Sequence, residues 1–146
     1  MREREGEKLR DDIVGRADTI LNMVSFVEER SPQTVREHNE RIKQRMRDLL
    51  GDANVDEQRL LTEAAIYADK VAVDEETVRL RSHIDQLKAM FNDNESVGRK
   101  MDFLVQEINR EANTIGSKAS DIEITRTVVD IKAEIEKIRE QVQNIE

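Results

Sequence analysis

Glu107 and Glu111 stand four residues apart within the stretch Arg99–Ile115, a spacing that turns two carboxylates to the same side of a helix. With Lys100, Thr114 and Lys118 they follow one edge of an apolar arc formed by Met101, Leu104, Ile108, Ala112 and Ile115. Glu111 falls almost inside that arc. A carboxylate so placed is partly desolvated, which is costly unless a cation, a hydrogen bond or a metal ion compensates. The opposite side carries Asp102, Gln106, Asn109 and Asn113, with Arg110 beside them. Amides both donate and accept hydrogen bonds, so this side suits a polar interface or the phosphates and sugars of a nucleic acid.

A second group precedes it. Glu76, Arg79 and His83 share one side of another predicted helix, but Glu76 and His83 are two turns apart, about 10 Å of rise, too far to chelate one ion unaided. His83 can instead meet Glu107 or Glu111 across a helix contact. A histidine with carboxylates suits Mn²⁺ or Mg²⁺ with water in the remaining positions, and such an ion activates water for phosphodiester hydrolysis. Each residue also has an ordinary explanation. Glu76 lies in a first turn where the helix dipole favours acids. His83 suits a hydrogen-bonded helix interface, and Glu107 and Glu111 can pair with Lys100, Lys118 or Arg110.

The elements that must position these residues are helices. Leu9, Ile13, Ala17, Ile20, Val24 and Val27 recur at three- and four-residue steps, which predicts a first helix of roughly 28 residues. Ser31-Pro32 reads as a cap and first position of a second helix that Gly51 ends after Leu50, making a helical hairpin. Asp56 caps a third helix with Leu60, Ala64, Ala68 and Val71. Asp74 caps a fourth with Val78, Leu80, Ile84, Leu87 and Phe91. Asn92–Ser96 reads as a loop, the fifth helix ends at Gly116, and Ser120 with Glu123 forms a capping box for the last. That helix sets Ile124, Val128, Ile131, Ile135, Ile138, Val142 and Ile145 on a heptad seam, all β-branched, which favours a multi-helix core or a higher oligomer. The expected architecture is all-α: one domain over 1–146, a bundle of about six helices with a long N-terminal helix and a heptad-patterned C-terminal helix.

Composition agrees. Of 146 residues 37% are apolar but only 3% aromatic, and 38% are charged with both signs interleaved, as in salt-bridge-laced helices. The net charge of −8 argues against a general polyanion binder, though a local basic groove is compatible with it. Arg41, Lys43, Arg45 and Arg47 form one basic cluster, for which a solvated helix surface is the plainer reading. Arg99, Lys100, Lys118 and Arg126 can form another if the fold gathers them. No cysteine is present, which removes disulfides, thiol nucleophiles and Cys-type zinc sites and suits a reducing cytosol. The start, Met1-Arg2-Glu3-Arg4-Glu5, is too polar for a signal peptide, and no apolar run reaches the roughly 18 residues of a membrane span.

The string Val97-Gly98-Arg99-Lys100-Met101-Asp102-Phe103-Leu104-Val105-Gln106-Glu107-Ile108-Asn109-Arg110-Glu111-Ala112-Asn113-Thr114-Ile115-Gly116-Ser117-Lys118 resembles the C-terminal part of the YicC/YloC family of bacterial endoribonucleases. The closing Arg139–Glu146, the segment Arg79–His83 with Glu75-Glu76 before it, and the opening Met1–Gly6 are similar as well, so the resemblance extends over essentially the whole chain. It implies divalent-metal-dependent RNA cleavage with Mn²⁺ or Mg²⁺, a ring-like homo-oligomer of hexameric size, and a cytoplasmic location. It also implies an N-terminal domain, as a partner of this one, that would precede the Met1–Gly6 segment. Carried onto this chain, it makes His83, Glu107 and Glu111 catalytic and metal candidates, with Glu76 a further metal candidate. Arg99, Lys100, Asn109, Arg110, Asn113, Ser117 and Lys118 become candidates for RNA contact. One position departs from the family pattern: Ala72 stands before Val73 where an Asp is usual. The competing reading from another class is a non-catalytic oligomerisation or adaptor module, in which the acids and amides serve packing and solubility.

Overall fold

In the computed structural model, residues 2–51, 56–92 and 98–145 are described. All regular structure among them is helical: α1 Arg2–Leu50, α2 Glu57–Val71, α3 Asp74–Ala89, a 3₁₀ turn Met90–Asn92, α4 Gly98–Lys118 and α5 Ile122–Ile145. The all-α expectation is met, but with five α-helices rather than six.

The missing helix is accounted for at Ser31-Pro32, where the expected hairpin does not form. Pro32 lies inside α1, which continues for 49 residues, about 73 Å. A proline costs an exposed helix about 3 kcal/mol through its lost N–H and the clash with the carbonyl four residues back. Here Val27, Ser31 and Thr34 are all buried, so packing continues across the proline and offsets that cost. Thr34 Oγ1 also donates to the Ser31 carbonyl at 2.7 Å. The turn comes instead at Gly51, whose φ of +66° favours glycine and whose N–H caps the Arg47 carbonyl at 2.9 Å.

Neighbouring helices run antiparallel. On α1, Asp18 pairs with Lys88 and Glu28 with Arg81 of α3, while His38 stacks on Tyr67 of α2. These pairings advance together along both sides, so α2 and α3 form a single interrupted track beside α1. The interruption at Ala72-Val73 lies about level with Pro32. α1, α3, α4 and α5 then enclose the core: Ile13, Ile20 and Val24 meet Leu80, Ile84 and Leu87, Ile108 and Ile115, and Ile131 and Ile138. Each of these side chains contributes roughly 1.5–3 kcal/mol by leaving water. The heptad seam of α5 from Ile124 to Val142 is buried between α1 and α4, within this chain.

Local ends differ from expectation in ways that packing explains. Asp56 caps α2 as expected, accepting from the N–H groups of Gln58 and Arg59. Asp74 is the first residue of α3 rather than its cap, a place taken by Val73 with no side-chain bond. Asp121, not Ser120, caps α5, because its carboxylate accepts the Ile124 N–H at 3.1 Å. Ser120 is drawn off to Tyr67 Oη. Gly116 does not end α4. A Cβ there would come 3.1 Å from Val128 Cγ1, so this glycine permits the approach of α5. Phe91 lies in the 3₁₀ turn and Val78 is exposed, and of the expected loop only Asn92 is described, Asp93–Ser96 lying outside the described residues.

Candidate active site

Between α3 and α4 the apolar seam is replaced at its edge by a ladder of charged side chains. Lys118 Nζ lies 2.6 Å from Glu76 Oε1 and donates to the Ala72 carbonyl at 3.3 Å. One turn along, Arg79 Nε donates to Glu111 Oε1 at 2.9 Å, and its Nη2 is 3.8 Å from Glu76 Oε1. A further turn on, the antiparallel register brings His83 level with Glu107. Helix geometry explains why these positions share an edge. Residues 76, 79 and 83 fall on one side of α3, and 107, 111 and 118 on one side of α4.

The site is unusual in what it buries. Glu76 is 3% exposed and Glu111 6%, whereas Arg79 keeps about half its side chain in solvent. Burial pushes the Glu76 carboxyl up, but the hydrogen bond from Lys118, one from its own backbone and the nearby charges outweigh it and hold it below its ordinary value. The Glu111 hydrogen bond and the surrounding acids push Arg79 further up, so it stays a cation. Two polar atoms in this edge are buried with no partner: Glu76 Oε2 and His83 Nδ1. Such atoms are uncommon in folded interiors and mark places where a proton, water or ligand is accommodated.

Of the expected metal ligands, Glu76 and Glu111 are brought together through Arg79, while His83 and Glu107 stand on the adjoining turn. They do not converge. Among the described residues no three acidic or histidine side chains are grouped to hold an ion. The negative charge of Glu76 and Glu111 is already met by Lys118 and Arg79, so the arrangement fits a closed ion-pair ladder and does not fit a divalent ion. Ala72 lies at the end of this ladder. Because α2 stops there in an extended conformation, its carbonyl is turned out of the helix and receives Lys118.

The RNA-contact candidates divide. Lys118 belongs to the ladder, and Lys100 lies on the same edge at the far end of α4. Asn109 lies on the other side, where it lines a groove of about 270 Å³ between α4 and α5 with Gln106, Glu136 and Arg139. Asn113, Ser117, Arg110 and Arg99 are exposed. Arg99 and Lys118 stand at opposite ends of α4, about 28 Å apart, so the second basic cluster is not gathered at one place. Glu111 thus meets α3, whereas Gln106 and Asn109 meet α5.

Arg79 is the residue that pattern alone undervalues. Its position between Glu76 and His83 is visible in the sequence, but its bond to Glu111 across 32 residues depends on the helix pairing. Neither His38 nor Tyr67 stands out in the pattern, and the signal they offer is that Tyr67 is the one tyrosine of a chain with 3% aromatics.

Residues 27–146 match the family described as "Endoribonuclease YicC-like, C-terminal". The chain is 52% identical over 147 aligned residues to a protein of Clostridioides difficile (strain 630) named "Probable endoribonuclease YicC". It is 40% identical over 146 residues to one of Haemophilus influenzae with the same name. Each alignment takes in 100% of this chain and 50% of the relative, so the chain spans about half the length of these curated relatives.

Proposed function

The chain belongs to the endoribonuclease YicC-like C-terminal family, and from that premise we propose that it is the helical half of a protein that hydrolyses RNA phosphodiester bonds, using the α3–α4 edge. The observation that carries this reading is the burial of Glu76 and Glu111 on either side of a half-exposed Arg79. A helical scaffold gains little from buried ion pairs, whose desolvation commonly cancels their attraction.

Each residue takes a role its position allows. Arg79 is open to solvent on one side and meets a phosphate oxygen, stabilising charge that grows in the transition state. Hydrolysis also needs one group to take a proton from the attacking oxygen and another to give one to the leaving oxygen. Glu107, whose side chain is 24% exposed, and His83, with Nδ1 unpartnered, stand level to share those tasks. Dependence on Mn²⁺ or Mg²⁺ belongs to the proposal at the level of the whole protein. An ion at Glu76 or Glu111 would compete with the charges of Lys118 and Arg79 that already meet their Oε1 atoms. A cytoplasmic location, a ring-like homo-oligomer of hexameric size and an N-terminal domain as partner complete the reading. Among the described residues, no helix is long and apolar enough to cross a membrane.

The pairing of Glu76 with Lys118 and of Glu111 with Arg79 favours a second reading, in which these charges only clamp α3 to α4. The two are separated by incubating a structured RNA with the chain, alone and in the longer form its relatives have, with Mn²⁺, with Mg²⁺ or with chelator. Glu107→Gln, Glu111→Gln and His83→Ala are each expected to slow cleavage roughly 100-fold or more. Unchanged cleavage in all three overturns the site, and no cleavage with any metal leaves the clamp.

A further inference from the structure

The cluster Arg41, Lys43, Arg45 and Arg47 takes no part in the ladder, yet the fold places it beside the one aromatic stack among the described residues. The His38 and Tyr67 rings lie 3.5 Å apart at an interplanar angle of 11°. Both line an open groove of about 330 Å³ between α1 and α2, together with Ile42, Ala64, Asn39 and Lys70. Tyr67 Oη is tied to Ser120 Oγ, which fixes the ring before any ligand arrives.

Charge runs on from the groove in one direction. Residues 41–47 hold four cations and no acid, in a chain of net charge −8. Arg41 and Arg45 follow His38 at three and seven residues, so they share its side of α1. Glu63 is the one acid among the lining residues, and Lys70 adds a cation to them. Flat rings beside a line of cations form the combination by which proteins hold unpaired bases and their phosphates, and a duplex, whose bases are already stacked, cannot use it.

The groove also adjoins the ladder. Ser120, which holds Tyr67, is two residues from Lys118, which holds Glu76. We propose that the α1–α2 groove docks single-stranded RNA, with an unpaired base stacked against the His38–Tyr67 pair and the phosphates running along Arg41 and Arg45. This rests on the RNA-hydrolysing reading and adds to it where the strand is held before it reaches the α3–α4 edge.

The test exploits composition: one tyrosine, two histidines and no tryptophan. Ring signals of Tyr67 and His38 are followed by NMR, with His83 as an internal comparison, while an unstructured oligoadenylate of about twelve nucleotides is titrated into the chain in chelator. The expected result is saturable ring shifts at Tyr67 and His38, which a duplex RNA of equal length and inorganic polyphosphate do not reproduce. Tyr67→Ala and His38→Ala should weaken oligonucleotide binding about tenfold while Tyr67→Phe retains it, and Arg41→Gln with Arg45→Gln should flatten its salt dependence. The wild-type shifts decide the matter even if an alanine variant fails to fold. Unmoved rings, or equal shifts with polyphosphate, overturn the groove. Cleavage by the longer protein is scored separately: unmoved rings with intact cleavage remove the groove alone, and shifted rings without cleavage remove the hydrolytic reading alone.

Discussion

Lys118 Nζ sits 2.6 Å from Glu76 Oε1, and that single pair fastens the last turn of α4 to the first turn of α3. Glu76 is buried and Lys118 only about two-thirds so, which makes their removal unequal. Lys118→Met strands a buried carboxylate and should cost about 2 kcal/mol in denaturant unfolding, the low side for a broken buried pair because the lysine is partly in solvent. Adding Glu76→Leu should recover most of that loss. If the double variant is as unstable as the sum of the two single ones, the pair is not coupled as described.

Acid should unfold the chain through particular carboxylates. Burial pushes Glu76 up, but its Lys118 and backbone hydrogen bonds prevail. Asp121 is held down by Arg30, and Asp12 by Arg16 and Gln141. All three lie below their ordinary values in the folded state. Each therefore contributes stability that is complete above its unfolded value and is lost as pH falls through its folded one. Tm should be level at neutral pH and decline below about pH 4.5, with a shallower decline in Asp121→Asn. A level Tm down to about pH 3 would contradict this assignment.

Asp121 has two separable duties. It caps α5 through the Ile124 N–H at 3.1 Å, and it receives Arg30 of the neighbouring α1 at 3.0 and 3.2 Å. Asp121→Ala should lose both, of which the cap alone is worth about 1 kcal/mol. Asp121→Asn keeps a capping oxygen and loses the charge. Equal loss in the two variants, measured by thermal unfolding, would mean that the cap contributes nothing.

Gly116 sets two small effects against each other. Alanine would favour the α4 helix by about 1 kcal/mol, but its Cβ would come 3.1 Å from Val128 Cγ1. Gly116→Ala should change stability little in the natural chain and raise it by about 1 kcal/mol when Val128→Ala is already present. The same change in both backgrounds would show that contact with Val128 does not constrain this position.

Much of the fold is written in apolar spacing. Most buried apolar residues of α1, α4 and the α5 seam are those that three- and four-residue steps select, Val105 being an addition, and Asp56 and Gly51 mark the start of α2 and the end of α1 where local chemistry places them. Two local signals point elsewhere. Ser31-Pro32 has the composition of a helix start, and only the packing of Val27 and Thr34 on both sides shows that α1 runs through it. Gly116 has the composition of a helix end, and its reason lies 12 residues away in Val128. The site divides in the same manner. The burial of Glu111 follows from its place on the arc, but the partners of Glu76 and Glu111 come from other helices, and no spacing within one helix discloses them.

The proline inside α1 has a mechanical aspect. Pro32 offers no N–H to the Glu28 carbonyl, so the helix is least stiff at that turn, and the interruption of the α2–α3 track stands about level with it. Beyond it, the 18 residues to Leu50 form an arm about 27 Å long that carries α2 and the aromatic groove. A bend of about 10° at this hinge would swing the tip by roughly 5 Å, by the leverage of its length alone. The core that holds the ladder would stay in place while the arm moved.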